Sequence, residues 1–198
     1  MKITKEKSEK NRQTLLESAA LLFSERGIDG TGVADVCKKA GLTQGALYSH
    51  FNSKEDLAAE ALAYKIGRSS SKMKKITGGK ERALKAYLDS YLSAGHRDNI
   101  SDGCPMAASS SEIGRHGSSL SSSFTDGFLE MVKDIESFLD PGLNPAGKKE
   151  KHRRALMIVS AMIGAIAIAR AIAKSDPALS DEVLRTIREL LTKLDESM

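Results

Sequence analysis

The sequence predicts an all-α chain of about nine helices, on three observations. Apolar residues recur three and four positions apart in segment after segment. No stretch alternates apolar and polar residues as a half-buried strand would. Breaks rich in Gly, Pro and Asp fall at intervals suited to helices, and no internal repeat is present.

The first helix covers about Lys10 to Arg26, with Leu15, Ala19, Leu22 and Phe23 on one stripe and Gly27 as its stop. Thr31 suits the N-cap of a second helix over Val33 to Lys39, because its hydroxyl can accept a free backbone N–H. Val33 and Val36 share a face that Cys37 and Ala40 widen, and Gly41 stands where a left-handed residue ends a helix. Thr43 caps a short third helix, about Gln44 to His50. Ser53 and Asp56 form a Ser-x-x-Asp capping box for the fourth, which runs from Lys54 toward Lys75 and stops at Gly78-Gly79. The fifth starts near Lys80, with Leu84, Tyr87, Leu88 and Tyr91 at helical spacing. A polar loop, His96 to Gly103, precedes a sixth helix that begins at Pro105 and fades at Gly114 to Gly117. The seventh carries Leu120, Phe124, Phe128, Met131, Ile135 and Phe138 and is broken by Asp140-Pro141-Gly142. Asn144-Pro145 caps the eighth, which reaches about Lys174. After the Asp176-Pro177 loop, Ser180 caps the ninth, to about Leu194.

Residues 31–57 carry the chemistry that points to a partner. Two short helices meeting at Gly41-Leu42-Thr43 make a helix-turn-helix, the element that reads duplex DNA. A helix N-terminus binds phosphate through its free N–H groups, and Gly45 leaves no Cβ in the way, so Thr43 and Gly45 suit phosphate anchors. Gln44, Ala46 and Ser49 are small or polar and suit base edges; a glutamine bonds adenine bidentately in the major groove. Tyr48 and His50 can reach phosphate oxygens from one side, while Leu47 and Phe51 pack inward. Lys54, in the first turn of the next helix, can meet a phosphate as a point charge. Plain packing is the alternative for Tyr48, and a solvated surface for His50. The agreement of the helix signals with a polar face favours DNA.

Residues 11–62 resemble the DNA-binding domain of the tetracycline-repressor (TetR/AcrR) family. The pattern Thr43-x-Gly45-x-x-Tyr48-x-His50-Phe51, with Lys54 three residues later, is highly specific to it. The resemblance implies that Thr43, Gln44, Gly45, Tyr48, His50 and Lys54 contact DNA. It also implies an all-helical homodimer whose larger C-terminal domain binds an effector. Cys37 stands where many members carry a small apolar residue, and Gly32 directly follows Thr31. With Thr31, Ala46 and Ser49 added, these residues make up the expected DNA contacts.

Length and charge agree. A chain of 198 residues accommodates an N-terminal helix-turn-helix domain over residues 1–53 and a C-terminal effector-binding and dimerisation domain over residues 54–198, joined by the fourth helix. Two cysteines make neither a metal pattern nor a disulfide framework, so a reducing cytoplasm is expected, with no cofactor or metal. The N-terminus lacks a signal peptide's apolar run. The longest uncharged run, Ala155 to Ala169, is 15 residues, better suited to a buried core helix than to a membrane span. Net charge is +4. Two readings fit the basic start, Lys2 to Arg12: a tail along the DNA backbone, or a solvated terminus. The basic run Lys65 to Lys85 reads as a solvated face, and the acidic excess over residues 95–147 as a cationic effector's surroundings or an acidic surface.

The eighth helix is apolar nearly all round from Leu156 to Ile172, and Leu156, Ser160, Gly164, Ala167 and Ala171 would admit a close partner. With Leu184, Ile187 and Leu191 of the ninth they form the expected homodimer interface, since one helix-turn-helix reads too little DNA alone and two-fold pairing matches a palindromic operator. Arg170 interrupts that helix and needs a partner, expected across the interface. Arg115 and His116 sit in a Gly-flanked break as hinge or surface. An effector cavity is expected among the fifth to eighth helices, with Tyr87, Tyr91, Cys104, Met106, Ser110, Phe124, Phe128 and Met162 as candidate lining.

Cys104-Pro105 places a thiol at a helix N-cap, where free N–H groups favour a thiolate. Gly103-Cys104-Pro105, with His96-Arg97-Asp98 upstream, resembles a subgroup of the same family. Either Cys104 is a small buried cap, or it senses oxidants or electrophiles. The expected function is a DNA-binding transcriptional regulator, a repressor released by an unknown small-molecule effector. The alternatives are an oxidant- or electrophile-sensing repressor acting through Cys104, a cysteine-based enzyme using Cys104 with His96, an activator, and a nucleoid binder.

Overall fold

The computed structural model describes residues 4–73, 80–139 and 145–196. Among them lie ten helices and no strand: α1 Lys5–Arg26, α2 Val33–Ala40, α3 Gln44–Tyr48, α4 Lys54–Met73, α5 Lys80–Tyr91, α6 Ala94–Asp98, α7 Pro105–Ile113, α8 Ser118–Phe138, α9 Pro145–Ile172 and α10 Pro177–Glu196. The all-α expectation holds. The expected stops at Gly78-Gly79 and Asp140-Pro141-Gly142, and the Asn144 cap, lie outside the described residues.

Local chemistry accounts for the boundaries. The Thr4 hydroxyl accepts from Lys7 N–H, so α1 begins one and a half turns before its expected start, and residues 5–12 are helical. Gly27, at φ 78°, and Gly41, at φ 66°, take left-handed conformations that end α1 and α2. The α2 cap is Gly32, whose N–H donates to the Asp35 carboxylate, and Thr31 is displaced from that role. The α3 helix ends at Tyr48, two residues short of expectation. The extra helix, α6, overlaps the start of the expected polar loop and is capped by Ser93, which accepts from His96 N–H. Asp176 takes the capping role expected of Ser180, accepting from Leu179 N–H. Ser180 is instead buried, donating to Ala169 O.

Leu15, Ala19, Val36, Leu47, Phe51 and Leu57 knit α1 to α4 into one buried cluster, and the Arg12 guanidinium lies over the Phe51 ring and pairs with Glu60. The α4 helix packs on both α1 and α8, with Glu60, Tyr64 and Lys65 bonded to α1, so one element is shared by both halves. Gly127 on α8 faces Ile66 on α4. A Cβ there would collide with the buried Ile66 side chain. Between them α9 and α10 close the far side, with α8, α7 and α6 packed against α9. Segment 147–172 is long and apolar enough by composition to cross a membrane; here it packs against its neighbours as a core helix.

Gly127→Ala tests the α4–α8 contact. Alanine gains about 1 kcal/mol of helix propensity, but overpacking against Ile66 costs about 1–3 kcal/mol. We expect net destabilisation in urea denaturation; a gain in stability would mean that α4 and α8 have room to spare.

Candidate nucleic-acid interface and ligand cavity

The third helix presents its polar side chains outward from a single buried anchor, Leu47. Thr43 caps it, accepting from Ala46 N–H at 3.2 Å. Thr43, Gln44, Gly45 and Ser49 are exposed, Tyr48 is 53% exposed, and Ala46 and His50 are half-buried. A Cβ on Gly45 would meet nothing nearer than Thr43 Oγ1 at 3.9 Å. The fold itself therefore does not require that glycine. The His50 ring leans edge-on toward Phe51. Ser53 Oγ accepts from Asp56 N–H, and Lys54 opens α4 beside the same face. Thr31 is a correction. Its side chain is fully buried and its hydroxyl donates to Gly27 O at 2.8 Å and Leu22 O at 3.3 Å, so it holds the α1–α2 turn and cannot reach DNA.

A cavity of about 470 Å³ opens among α4, α5, the α6–α7 segment and α8. Tyr87, Tyr91, Cys104 and Met106 line it as expected. Ser110 is exposed on α7, Phe124 and Phe128 are half-buried in packing on α8, and Met162 is wholly within the core; none of these four lines it. From α8 the lining comes from Glu130, Met131 and Asp134 instead. Ser90, Ser93, His96, Asn99 and Asp102 add polar lining. Their sequence signal was a cluster of polar residues, which reads equally well as a solvated loop.

Cys104 sits in this wall as the N-cap of α7, with Pro105 at the first helical position, and is 4% exposed. Its backbone N–H donates to His96 Nε2 at 2.9 Å. Since Nε2 accepts, Nδ1 carries the ring proton and donates to Tyr91 O, 2.6 Å away. Both ring nitrogens are thus committed, and His96 is not placed to take the thiol proton as a cysteine enzyme would require. The Tyr91 hydroxyl, buried without a nitrogen or oxygen partner, bears on the Cys104 sulfur. Burial pushes the Cys104 thiol above the ordinary range. Tyr91, the N–H groups of Ala107 and Met106, and the Arg170 charge pull the other way without prevailing. Arg170 finds two acceptors within the chain: Nε donates to Arg97 O at 3.0 Å and Nη2 to His96 O at 3.3 Å, while Nη1 is buried without a partner among the described residues. Cys37 is buried in the core, as expected, and burial raises its thiol too.

The expected interface residues divide. Leu184 and Leu191 face the chain's own core, a correction imposed by α10 packing on α9. Ser160 and Ala171 are exposed, and Leu156, Gly164, Ala167 and Ile187 half-buried. Ser160, Gly164 and Ala171 line up with Met157 and Ile168 along one side of α9; Ile168 is 54% exposed. Leu179 and Leu190 add exposed apolar surface on α10.

Residues 15–61 match the model of a family described as bacterial regulatory proteins, tetR family. The whole chain is similar to an uncharacterized HTH-type transcriptional regulator of Mycobacterium tuberculosis, 29% identical over 187 residues, which are 91% of this chain and 93% of that protein. It is 33% identical over 90 residues, 43% of this chain and 44% of the other, to the HTH-type transcriptional repressor KstR2 of Mycolicibacterium smegmatis. In fold it resembles the crystal structure of E. coli NemR in its reduced form, with a TM-score of 0.76 and 19% identity over 93% of this chain and 96% of that one.

The raised thiol of Cys104 gives a test by alkylation. Thiolate is the reacting species, so a folded-state shift upward means slower labelling at neutral pH. We expect the pH midpoint of Cys104 labelling by iodoacetamide, read by mass spectrometry, to lie above that of the urea-unfolded chain. A midpoint below it would show that Arg170 and the α7 N-terminus outweigh burial.

Proposed function

These matches support a DNA-binding transcriptional regulator of the tetR family, and on that premise we propose that the chain is a homodimeric repressor of a palindromic operator, released by a small molecule. The observation that carries this reading is the third helix, whose polar side chains are turned outward while only Leu47 secures it. Thr43, Gly45, Tyr48, His50 and Lys54 hold phosphates, and Gln44, with Ala46 and Ser49, reads base edges. The N-terminal reading domain ends near residue 53, and α4 carries it on the C-terminal domain. Two copies pair through the exposed side of α9, with Met157, Ser160, Gly164 and Ile168, and through α10 around Ile187 and Leu190. Gly164 has open space where a Cβ would stand, which leaves room for a partner helix.

The effector occupies the 470 Å³ cavity. It releases DNA only through its differential affinity for the bound and released arrangements, a coupling of about 1–3 kcal/mol in such systems. The protein works in the cytoplasm, where the operator is.

A second reading is favoured by one observation. Arg170 Nη1 is buried without a partner while its charge bears on the Cys104 sulfur. A guanidinium keeps its proton, so a negative charge at that sulfur would supply the missing counter-ion. In this reading an electrophile is attacked by the Cys104 thiolate, the thiol proton passes to solvent, and the covalent adduct at the head of α7 weakens operator binding.

Selection of genomic fragments with the purified chain tests the main reading, with enrichment of a palindrome as the expected result and uniform salt-sensitive binding as the result against it. Within the selected operator, Gln44→Ala should cost about 1–3 kcal/mol and relax preference at one base position. Lys54→Ala should weaken all sequences alike and lower the salt slope by about 1. For the second reading, N-ethylmaleimide should release operator DNA from the wild type and not from Cys104→Ser. Equal release from both would discard it.

A further inference from the structure

We propose that Glu112 is a specificity-determining residue: it fixes the angle of the reading domain on the body of the chain and so sets which half-site spacing an operator must have. The inference rests on the dimeric operator-binding reading above and adds a residue that holds the two reading helices in register.

Outside α4, the reading domain meets the body where Ser101 donates to Glu25 on α1 at 2.6 Å, and where α7 packs on α1 and the turn that follows it. There the Glu112 carboxylate accepts two main-chain bonds, from Ile28 N–H to Oε2 at 3.1 Å and from Asp29 N–H to Oε1 at 3.3 Å. These N–H groups lie just past the end of α1, in a turn whose other bonds are local: Gly27 N–H to Phe23 O, and Thr31 N–H to Ile28 O. A carboxylate bridging two successive N–H groups is a charge-assisted, two-point contact, and it defines direction as well as distance. The approach is so close that a Cβ on Gly27 would lie 2.6 Å from Glu112 Oε1. His116, just beyond α7, brings Nε2 to 3.5 Å from Asp29 Oδ1 and flanks the same turn.

A rod attached at one line can still rock about that line. The α4 helix supplies the line, and Glu112 supplies a second point of attachment off it. In a two-fold dimer any rocking of the reading domain moves both third helices in opposite senses, so it changes their separation twice over. Spacing preference is therefore the property most sensitive to this contact. Base preference within a half-site depends on α3 alone and should be indifferent to it. The position of Glu112 adds a further consequence. The opposite end of α7 carries Cys104, Pro105 and Met106 in the cavity wall, about 9–12 Å from Glu112 along the helix axis. The element that grips the turn is also a wall of the cavity.

The test uses the full chain and a panel of operators that keep the selected half-site and vary the spacer by one or two base pairs either way. Wild type, Glu112→Ala and Glu112→Gln are compared by binding titration, with melting temperature measured alongside. The glutamine variant retains an oxygen acceptor and guards against loss of folding. We expect wild type to prefer one spacing, and Glu112→Ala to lower the ratio between the best and the neighbouring spacing by about fivefold or more. Glu112→Gln should fall between, and half-site base preference should be unchanged in all three. If both variants fall in melting temperature yet keep the wild-type spacing profile, the contact is merely structural and the proposal is wrong. If wild type selects no palindrome at all, the operator-binding reading falls and this one with it.

Discussion

A half-buried guanidinium in the apolar second half of α9 organises the C-terminal half of this protein. Arg170 cannot shed its charge, so the fold must bring it acceptors. It finds them in the carbonyls of His96 and Arg97 at the end of α6, groups that would otherwise lack helical partners. The positive charge also lies at the negative end of that short helix. Arg97 answers in the other direction, its buried guanidinium reaching Ser180 at 2.8 Å and Asp181 at 2.6 Å on α10, besides its neighbour Asp98. Its hydrogen bonds to Asp98 and Asp181 raise its affinity for the proton still further. Two arginines thus lace α6 to α9 and α10, and they do so from opposite sides.

That lacing gives the cavity a floor of fixed shape. His96 is held in one tautomer by a donor and an acceptor on the main chain, and its ring packs edge-on against Tyr91 with centroids 4.5 Å apart. The Tyr91 hydroxyl and the Cys104 sulfur meet beside it. Desolvation dominates at all three titratable groups of this floor, raising Tyr91 and Cys104 and lowering Arg170. Arg170 Nη1 and Tyr91 Oη remain short of nitrogen or oxygen partners among the described residues. A site that stores unsatisfied polar groups in this way gains more from a ligand, or a modification, that satisfies them than a fully paired wall would. The same segment continues through α7 to the α1–α2 turn, so the cavity, α9, α10 and the N-terminal helices are linked through about twenty residues of chain, 94–113.

The parts legible in the sequence were those governed by neighbours in sequence. Thr43, Ser53 and Pro105 mark helix starts through bonds or ring geometry spanning one turn, and each does so here. Gly27 and Gly41 end helices for the same local reason. Thr31 misled because Thr31 and Gly32 are adjacent candidates for one cap, and the decision rests on burial of the threonine under α1. The α6 helix escaped notice because five residues show no periodicity. Phe124 and Phe128 lie on an expected helix yet outside the cavity, since α8 turns Glu130, Met131 and Asp134 into it while Gly127 faces α4, and Met162 on α9 is wholly within the core. Arg170 was visible as an anomaly, but its acceptors lie 73 and 74 residues away. Glu112 gave no signal at all, being one exposed-looking acid whose partners are main-chain groups 83 and 84 residues distant.

The brevity of α3 has a consequence for descent. Five residues with one buried anchor leave Gln44, Gly45, Tyr48 and Ser49 with almost no part in holding the fold together. On the proposed function, substitutions there change what is read while leaving the folded state nearly untouched. On that reading operator preference can drift between lineages, or be rewritten by an engineer, without first accumulating compensating changes in the core. Leu47 is the one position in that helix where such freedom ends.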